Sequence, residues 1–122
     1  MPMTPGHIEL FVPSPSRAKD FYHEVLGFEI GEIQHDGKVV WMTKDGLTIL
    51  LRPGTPPAAA SYQETAIALV LYTDDLDREV AALQDRGLAF RGTDGSERCL
   101  TFSDPWGNWF QLVNPAEQGP AS

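Results

Sequence analysis

The sequence predicts an α+β fold of paired βαβββ modules. Three observations carry this: a strand-to-helix pattern that occurs twice, turn signals that leave room for three more strands after each helix, and alternating apolar positions in the matched strands. His7 to Val12 (HIELFV) runs into a helical stretch ending at Gly27, and Ala66 to Leu71 (AIALVL) runs into one ending at Gly87. Downstream, Gly46 followed by LTILL matches Gly107 followed by NWFQL. The spacing between copies reads as 59 residues at the first strands (7 and 66), 60 at the helix ends (27 and 87) and 61 at the last glycines (46 and 107).

The first module spans 7–53. After the strand at 7–12, helical spacing over 16–26 sets Ala18, Phe21, Tyr22, Val25 and Leu26 on one stripe; Ser14 or Ser16 caps it and Gly27 ends it. Strands are expected at 28–33, 38–43 and 47–52, separated by the turn signals His35-Asp36-Gly37 and Lys44-Asp45-Gly46. A Pro/Ala-rich stretch, PGTPPAAA from Pro53, cannot continue a sheet, so residues 54–65 read as a linker. The second module, 66–115, repeats the order: a strand at 66–72, a helix near 75–86 carrying Leu76, Val80 and Leu83, and strands near 89–92, 98–103 and 108–113. Residues 116–122 read as a frayed tail. All of residues 1–122 form a single domain, long enough to bury a core without a metal or disulfide staple.

Alternation assigns faces. One parity is uniformly apolar: Ile8/Leu10/Val12, Leu47/Ile49/Leu51, Ile67/Leu69/Leu71 and Phe110/Leu112. These positions are expected to pack under the helices, because a helix stripe needs an apolar sheet face to bury against. The other parity reads His7/Glu9/Phe11, Thr48/Leu50/Arg52, Ala66/Ala68/Val70 and Trp109/Gln111/Val113. It is expected to line the concave side of a curved, mostly antiparallel sheet around a cleft, with the helices outside. Polar groups there must bond one another, meet water, or meet a ligand, since burying them unpaired costs several kcal/mol.

Composition narrows the function classes. Seventeen acidic against nine basic residues leave a formal charge of −8, which repels phosphate backbones and anionic lipids, so neither nucleic acid nor membrane is an expected partner. The same charge favours a cationic small molecule, or serves solubility alone. No apolar run approaches the roughly 20 residues of a membrane span. The lone Cys99 excludes an intramolecular disulfide, and the first residues, MPMTPG, show no basic and apolar leader, so a reducing cytoplasm is the expected compartment.

The paired βαβββ modules, the entry HIELFV followed by RAKDFYHEVLGF at 17–28, and Asp104-Pro-Trp-Gly-Asn108 before the last strand together resemble the vicinal oxygen chelate superfamily. It includes glyoxalase I, extradiol dioxygenases, and fosfomycin- and bleomycin-resistance proteins, and the resemblance covers residues 7–115. It implies the fold but not one function, since this architecture hosts metalloenzymes and metal-free binders alike. The enzymes hold a divalent metal through one ligand from the first and last strand of each module. The resemblance places those positions at His7, Leu50, Ala66 and Gln111. Leu50 and Ala66 have no donor atoms and Gln111 offers only a neutral carbonyl, whereas a divalent site wants about three protein ligands. The expectation is therefore no cofactor; the alternative is a divalent metal on His7, Glu9 and Gln111. The resemblance also implies a homodimer, closed within each chain or swapped across a two-fold axis.

The leading expectation is a metal-free protein that binds a small organic ligand, such as a cationic or aromatic antibiotic. Its ligand-binding set is His7, Glu9, Phe11, Trp41, Leu50, Arg52, Trp106, Trp109 and Gln111. Trp109 lies on the concave parity, the face of Trp41 is left open, and Trp106 sits in the DPWG turn; each either stacks on a ligand or packs in the core. Glu9 meets a ligand cation or pairs with Arg52, and His7 meets the ligand or pairs with Glu9 or Gln111. One alternative is a metal-independent isomerase or cyclase with Glu9 or His7 as catalytic acid/base; another is a metal-dependent lyase or dioxygenase. His23 and His35 read as solvated surface residues, Cys99 as a half-buried strand residue, and the stretch Gly92 to Gly95 as a hairpin connection.

Overall fold

A computed structural model describes residues 3–118. The described chain divides after Pro56 into two compact units. The first contains β1 (Ile8–Val12), α1 (Pro15–Glu24), β2 (Glu29–Gln34), β3 (Val39–Lys44) and β4 (Leu47–Pro53). The second contains β5 (Ala68–Tyr72), α2 (Leu76–Asp85), β6 (Leu100–Ser103) and β7 (Trp109–Val113). Among the described residues, two helices and seven strands in two mixed sheets make this an α+β protein.

In the first unit the strand order is β1-β4-β3-β2, with β1 parallel to β4 and the other neighbours antiparallel. Leu10, Leu51 and Val40 form one row across three strands, and Ile8, Ile49 and Met42 another. Leu51, Val40, Ile49 and Met42 are all fully buried. The stripe of α1 that includes Ala18 and Tyr22 is buried too, and α1 packs on β3 and β4. Each large side chain so buried contributes about 1.5–3 kcal/mol of hydrophobic stabilisation. Ser14 caps α1, its hydroxyl accepting from the Arg17 N–H at 3.3 Å. The hairpin β3–β4 turns through Asp45 and Gly46 with φ of 46° and 88°, the two positive values of a type I′ turn between the paired Lys44 and Leu47.

In the second unit β7 runs between β5, parallel, and β6, antiparallel. As the middle strand it is buried along its whole length. Phe102 and Phe110 pair across the ladder with rings stacked at 5.1 Å, and Phe90 meets Phe102 edge-on. Asp75 caps α2 by accepting from the Arg78 N–H, and Leu76 and Leu83 are the buried residues of that helix.

Five expectations are corrected. The strand near 89–92 does not form: the Arg91 N–H and the Gly92 carbonyl both pair with Thr101, so two residues oppose one, and only an isolated bridge from Thr93 to Leu100 follows. A bulge of the same kind interrupts β2 between Ile30 and Ile33, but there the ladder resumes. Ile67, expected on the buried parity, precedes β5 and is 68% exposed. His23 is exposed but not merely solvated, because its Nδ1–H donates to the Phe28 carbonyl at 2.7 Å just beyond the end of α1. Residues Pro115–Gln118 form a 3-10 turn tied down by Glu117 to Arg98, while the rest of the expected tail, 119–122, lies outside the described residues. Cys99 is buried and precedes β6.

The register also revises the repeat. In each unit the parallel ladder joins residues 41 apart, Ile8 to Ile49 and Ala68 to Trp109, and the caps Ser14 and Asp75 stand 61 apart. The copies are thus 61 residues apart already at their first strands, so His7 corresponds to Ala68 rather than Ala66, and Glu9 to Val70. A shift of two residues preserves strand parity.

Candidate functional site

Residues directly opposite in a ladder share a face. In the first unit this aligns Glu9 on β1, Leu50 on β4 and Trp41 on β3 in one row on the face away from α1. The face of Trp41, left open by alternation, is settled by its pairing with Leu50. Leu50 is 3% exposed and Trp41 half-buried, its indole N–H donating to Gln34 Oε1 at 3.1 Å. The Glu9 carboxylate is held at both oxygens. His7 Nε2–H donates to Oε2 at 2.8 Å, and Arg52 Nη1 lies 3.5 Å from Oε1. The His7 ring meets Trp41 edge-on with centroids 4.7 Å apart. Phe11, paired with Arg52 in the ladder, is exposed and lies over Gly54.

The row at equivalent positions of the second unit is Val70, Gln111 and Thr101. Where the first unit presents an acid, an apolar side chain and an aromatic, the second presents an apolar side chain, an amide and a hydroxyl. Gln111 is 7% exposed and its Nε2 donates to the Asp94 carboxylate. The neighbouring row is Ala68, Trp109 and Ser103. Trp109 is 2% exposed; its N–H donates to the Ala59 carbonyl at 2.9 Å, and the Arg91 guanidinium lies 4.7 Å over its ring. Arg91 also donates to Ser103 Oγ and to the Ala60 carbonyl. Trp109 therefore serves as a platform for Arg91 in this arrangement, with both the ring face and the N–H engaged.

The DPWG turn is organised by Asp104, which is 2% exposed. Its carboxylate accepts from the Trp106 and Asn108 N–H groups and from Asn108 Nδ2, each within 2.9 Å. Trp106 is half-buried on this turn. Gly107 follows with φ of 94°, and a Cβ there would collide with Ala58 Cβ. The motif is thus a structural device that feeds the chain into β7. A separate open hollow of about 600 Å³ lies at the ends of β5 and β7, bordered by Tyr72, Asp74, Glu79 and Asn114.

Of the sequence-predicted set, the first unit brings together His7, Glu9, Leu50, Arg52 and Trp41. The second places Trp109 and Gln111 on one face and Trp106 on the preceding turn. Alternation missed Arg91 and Asp94. Both belong to the loop that replaces the expected strand, and only the bond partners of Trp109 and Gln111 reveal them; the available signal was the pair of glycines, Gly92 and Gly95, around Asp94.

The donor set does not fit a divalent metal. At the four family positions Leu50 and Ala68 carry no donor atom, Gln111 offers only a neutral amide oxygen, and His7, the one imidazole, is engaged through Nε2 with Glu9. Among the described residues no three His, Cys, Asp or Glu side chains gather as metal ligands, and no helix is long and apolar enough to cross a membrane.

Comparison with known proteins agrees with this architecture. The uncharacterized protein YurT of Bacillus subtilis is 31% identical over 118 residues, covering 85% of this chain and 93% of YurT. TnmS3, described as an antibiotic binding protein from Streptomyces sp. CB03234, is 30% identical with a TM-score of 0.63, covering 93% of this chain and 98% of that one. The fosfomycin resistance protein FosX from Mesorhizobium loti shares the fold with a TM-score of 0.71 at 17% identity, covering 97% and 98%. Residues 4–112 match the family described as Glyoxalase/Bleomycin resistance protein/Dioxygenase superfamily, and the chain is a member of it.

Proposed function

We propose that this protein binds a small organic ligand without a metal, and that the ligand is a flat, cationic aromatic of the antibiotic kind. The observation that carries the reading is the row Glu9–Leu50–Trp41, which sets a carboxylate, an apolar contact and an aromatic ring side by side on one sheet face. A flat cation uses all three: its ring meets Trp41 and Leu50, and its charge meets Glu9. TnmS3, a relative at 30% identity described as binding an antibiotic, supports the same class. The acidic chain favours approach of a cation, an attraction that weakens as salt is raised. In this reading His7 and Arg52 are the residues that exchange partners, releasing Glu9 to the ligand.

The test is a fluorescence titration with a panel of flat, basic aromatic antibiotics, following tryptophan emission. Saturable quenching by at least one compound is expected. Silence across the panel sinks the reading.

A second reading has its own observation, the 2.8 Å hydrogen bond between His7 and Glu9. An imidazole bonded to a carboxylate is a general acid/base pair, worth typically 10²–10⁴-fold, and supports a metal-independent isomerisation or ring closure. Turnover abolished in both His7→Ala and Glu9→Gln and indifferent to chelator would favour it; saturable binding without turnover would count against it. We further propose, on the family resemblance, that the protein is a homodimer and, on its lone cysteine, that it resides in a reducing cytoplasm. Sedimentation at micromolar concentration tests the assembly, a monomeric mass being the adverse result.

A further inference from the structure

The two groups of the first unit that would grip a flat cation are already held by one side chain of that unit. His7 Nε2–H donates to Glu9 Oε2 at 2.8 Å, and the same imidazole meets the Trp41 ring at 64° with centroids 4.7 Å apart. One ring thus bonds the carboxylate and lies against the indole, the contacts assigned above to the ligand. The sheet does not extend to His7. The ladder between β1 and β4 begins one residue later, at Ile8. Residues 3–7 are all exposed, and a methyl group on Gly6 would meet nothing within 4 Å. The arm that carries the imidazole is therefore unpacked. Its side chain rests on two individually weak contacts, a hydrogen-bonded pair about a third exposed and an edge-on ring pair.

We infer that His7 is an autoinhibitory cover: its imidazole occupies the Glu9–Trp41 pair in the free protein, and a ligand gains that pair only when the arm at 3–7 carries the ring away. The inference rests on the binding function proposed above and adds its regulation. A side chain that touches the ligand adds to affinity. One that stands in the ligand's place subtracts from it, because the free protein is competent only for the fraction of time that the ring is out. Arg52 differs: it reaches Oε1 at 3.5 Å from a residue paired within the ladder, so its departure frees one oxygen and no ring. The cover also makes a kinetic demand. Opening precedes binding, so removing the imidazole speeds association, while dissociation starts from the open state and is unchanged.

The test is stopped-flow binding of proflavine, a planar acridine monocation, followed by dye fluorescence. In His7→Ala the association rate is expected to rise about three- to tenfold with the dissociation rate unchanged, so Kd falls by the same factor. His7→Gln, which keeps a donor for Glu9 and removes the ring, is expected to fall between wild type and His7→Ala. The gain is expected to persist as salt is raised, because it comes from vacated contacts and not from the loss of a repelling charge. Thermal melts check that both variants are folded, as expected for a substitution on an exposed arm outside the sheet. A folded His7→Ala protein that binds proflavine more weakly shows that His7 grips the ligand, and one with unchanged rates shows that the ring covers nothing. Either result overturns the cover and leaves the binding function standing, as does a gain carried by slower dissociation or one that vanishes at high salt. If proflavine binds neither wild type nor His7→Ala, the binding function fails for this class and the inference falls with it.

Discussion

His7 and Glu9 stand two positions apart at the start of β1 and are joined by a 2.8 Å hydrogen bond on the same sheet face. Side chains at that spacing point to one side of a strand, so a histidine and a carboxylate placed there find each other without help from the rest of the fold. Arg52 reaches the second oxygen of the carboxylate from the neighbouring strand. All three side chains are about a third to two-fifths exposed, so the pairings are weak, worth about 0.2–1 kcal/mol each, and exchangeable for a ligand.

Glu9→Gln is expected to weaken binding of a planar aromatic cation by about three- to tenfold and to flatten its salt dependence, because the variant keeps the shape and removes the charge. Titrations at low and high salt check this. An unchanged salt slope would show that Glu9 does not meet the cation.

Gly107→Ala is expected to destabilise the protein by about 2–4 kcal/mol, because it adds both left-handed backbone strain and a clash with Ala58. Gly46→Ala has the same sign of φ but open space around the new methyl, so about 1 kcal/mol is expected. Urea unfolding of the two variants separates strain from clash. Equal losses would mean that the contact with Ala58 relaxes at little cost.

Asp104→Ala strands two backbone N–H groups and the Asn108 amide of the turn before β7, and is expected to cost about 3 kcal/mol or more. Asp104→Asn keeps part of the pattern and is expected to cost less. Chemical denaturation of both gives the order; a neutral alanine variant would refute the structural role assigned to the motif.

Arg98 binds Asp77 on α2 and Glu117 in the last 3-10 turn. Its hydrogen bonds, reinforced by its charge, hold both carboxyls below their usual values. A depressed carboxyl pKa means that folding favours the ionised form. The stabilisation is therefore present above the ordinary values of 3.8 and 4.5 and is lost as pH falls through the lower folded values. Arg98→Ala should be less stable than wild type at neutral pH, with the gap closing in acid. A gap that persists at the acid limit would show that Arg98 acts through packing instead.

Purified protein incubated with zinc, nickel or manganese and then desalted should retain far less than one metal per chain, and chelator should leave ligand binding unchanged. Elemental analysis decides. Stoichiometric retention would overturn the reading of the donor set at His7, Leu50, Ala68 and Gln111.

Strand alternation placed Leu10, Ile49, Leu51, Phe110 and Leu112 on buried positions, and it also set Glu9 beside His7. Local capping and turn chemistry narrowed the cap of α1 to Ser14 or Ser16, of which the structure uses Ser14, and located the Asp45-Gly46 hairpin. These features are legible because each depends on residues within a few positions of one another. The spacing of the repeat at its first strands was misread by two residues, since the length of a connection does not reveal the register of a ladder; the faces survived because two is the period of a strand.

The amino-acid sequence by itself determined the α+β class, the order of the elements apart from the strand expected near 89–92, and the buried stripe of α1, all of which follow from short-range periodicity. Only the tertiary structure decided that Trp41 shares a row with Glu9 through Leu50, that Arg91 covers Trp109, and that Asp94 holds Gln111. Those relations join residues 9 to 41 positions apart across ladders and loops. The energy that selects them comes from pairing buried polar groups with partners that no local pattern identifies.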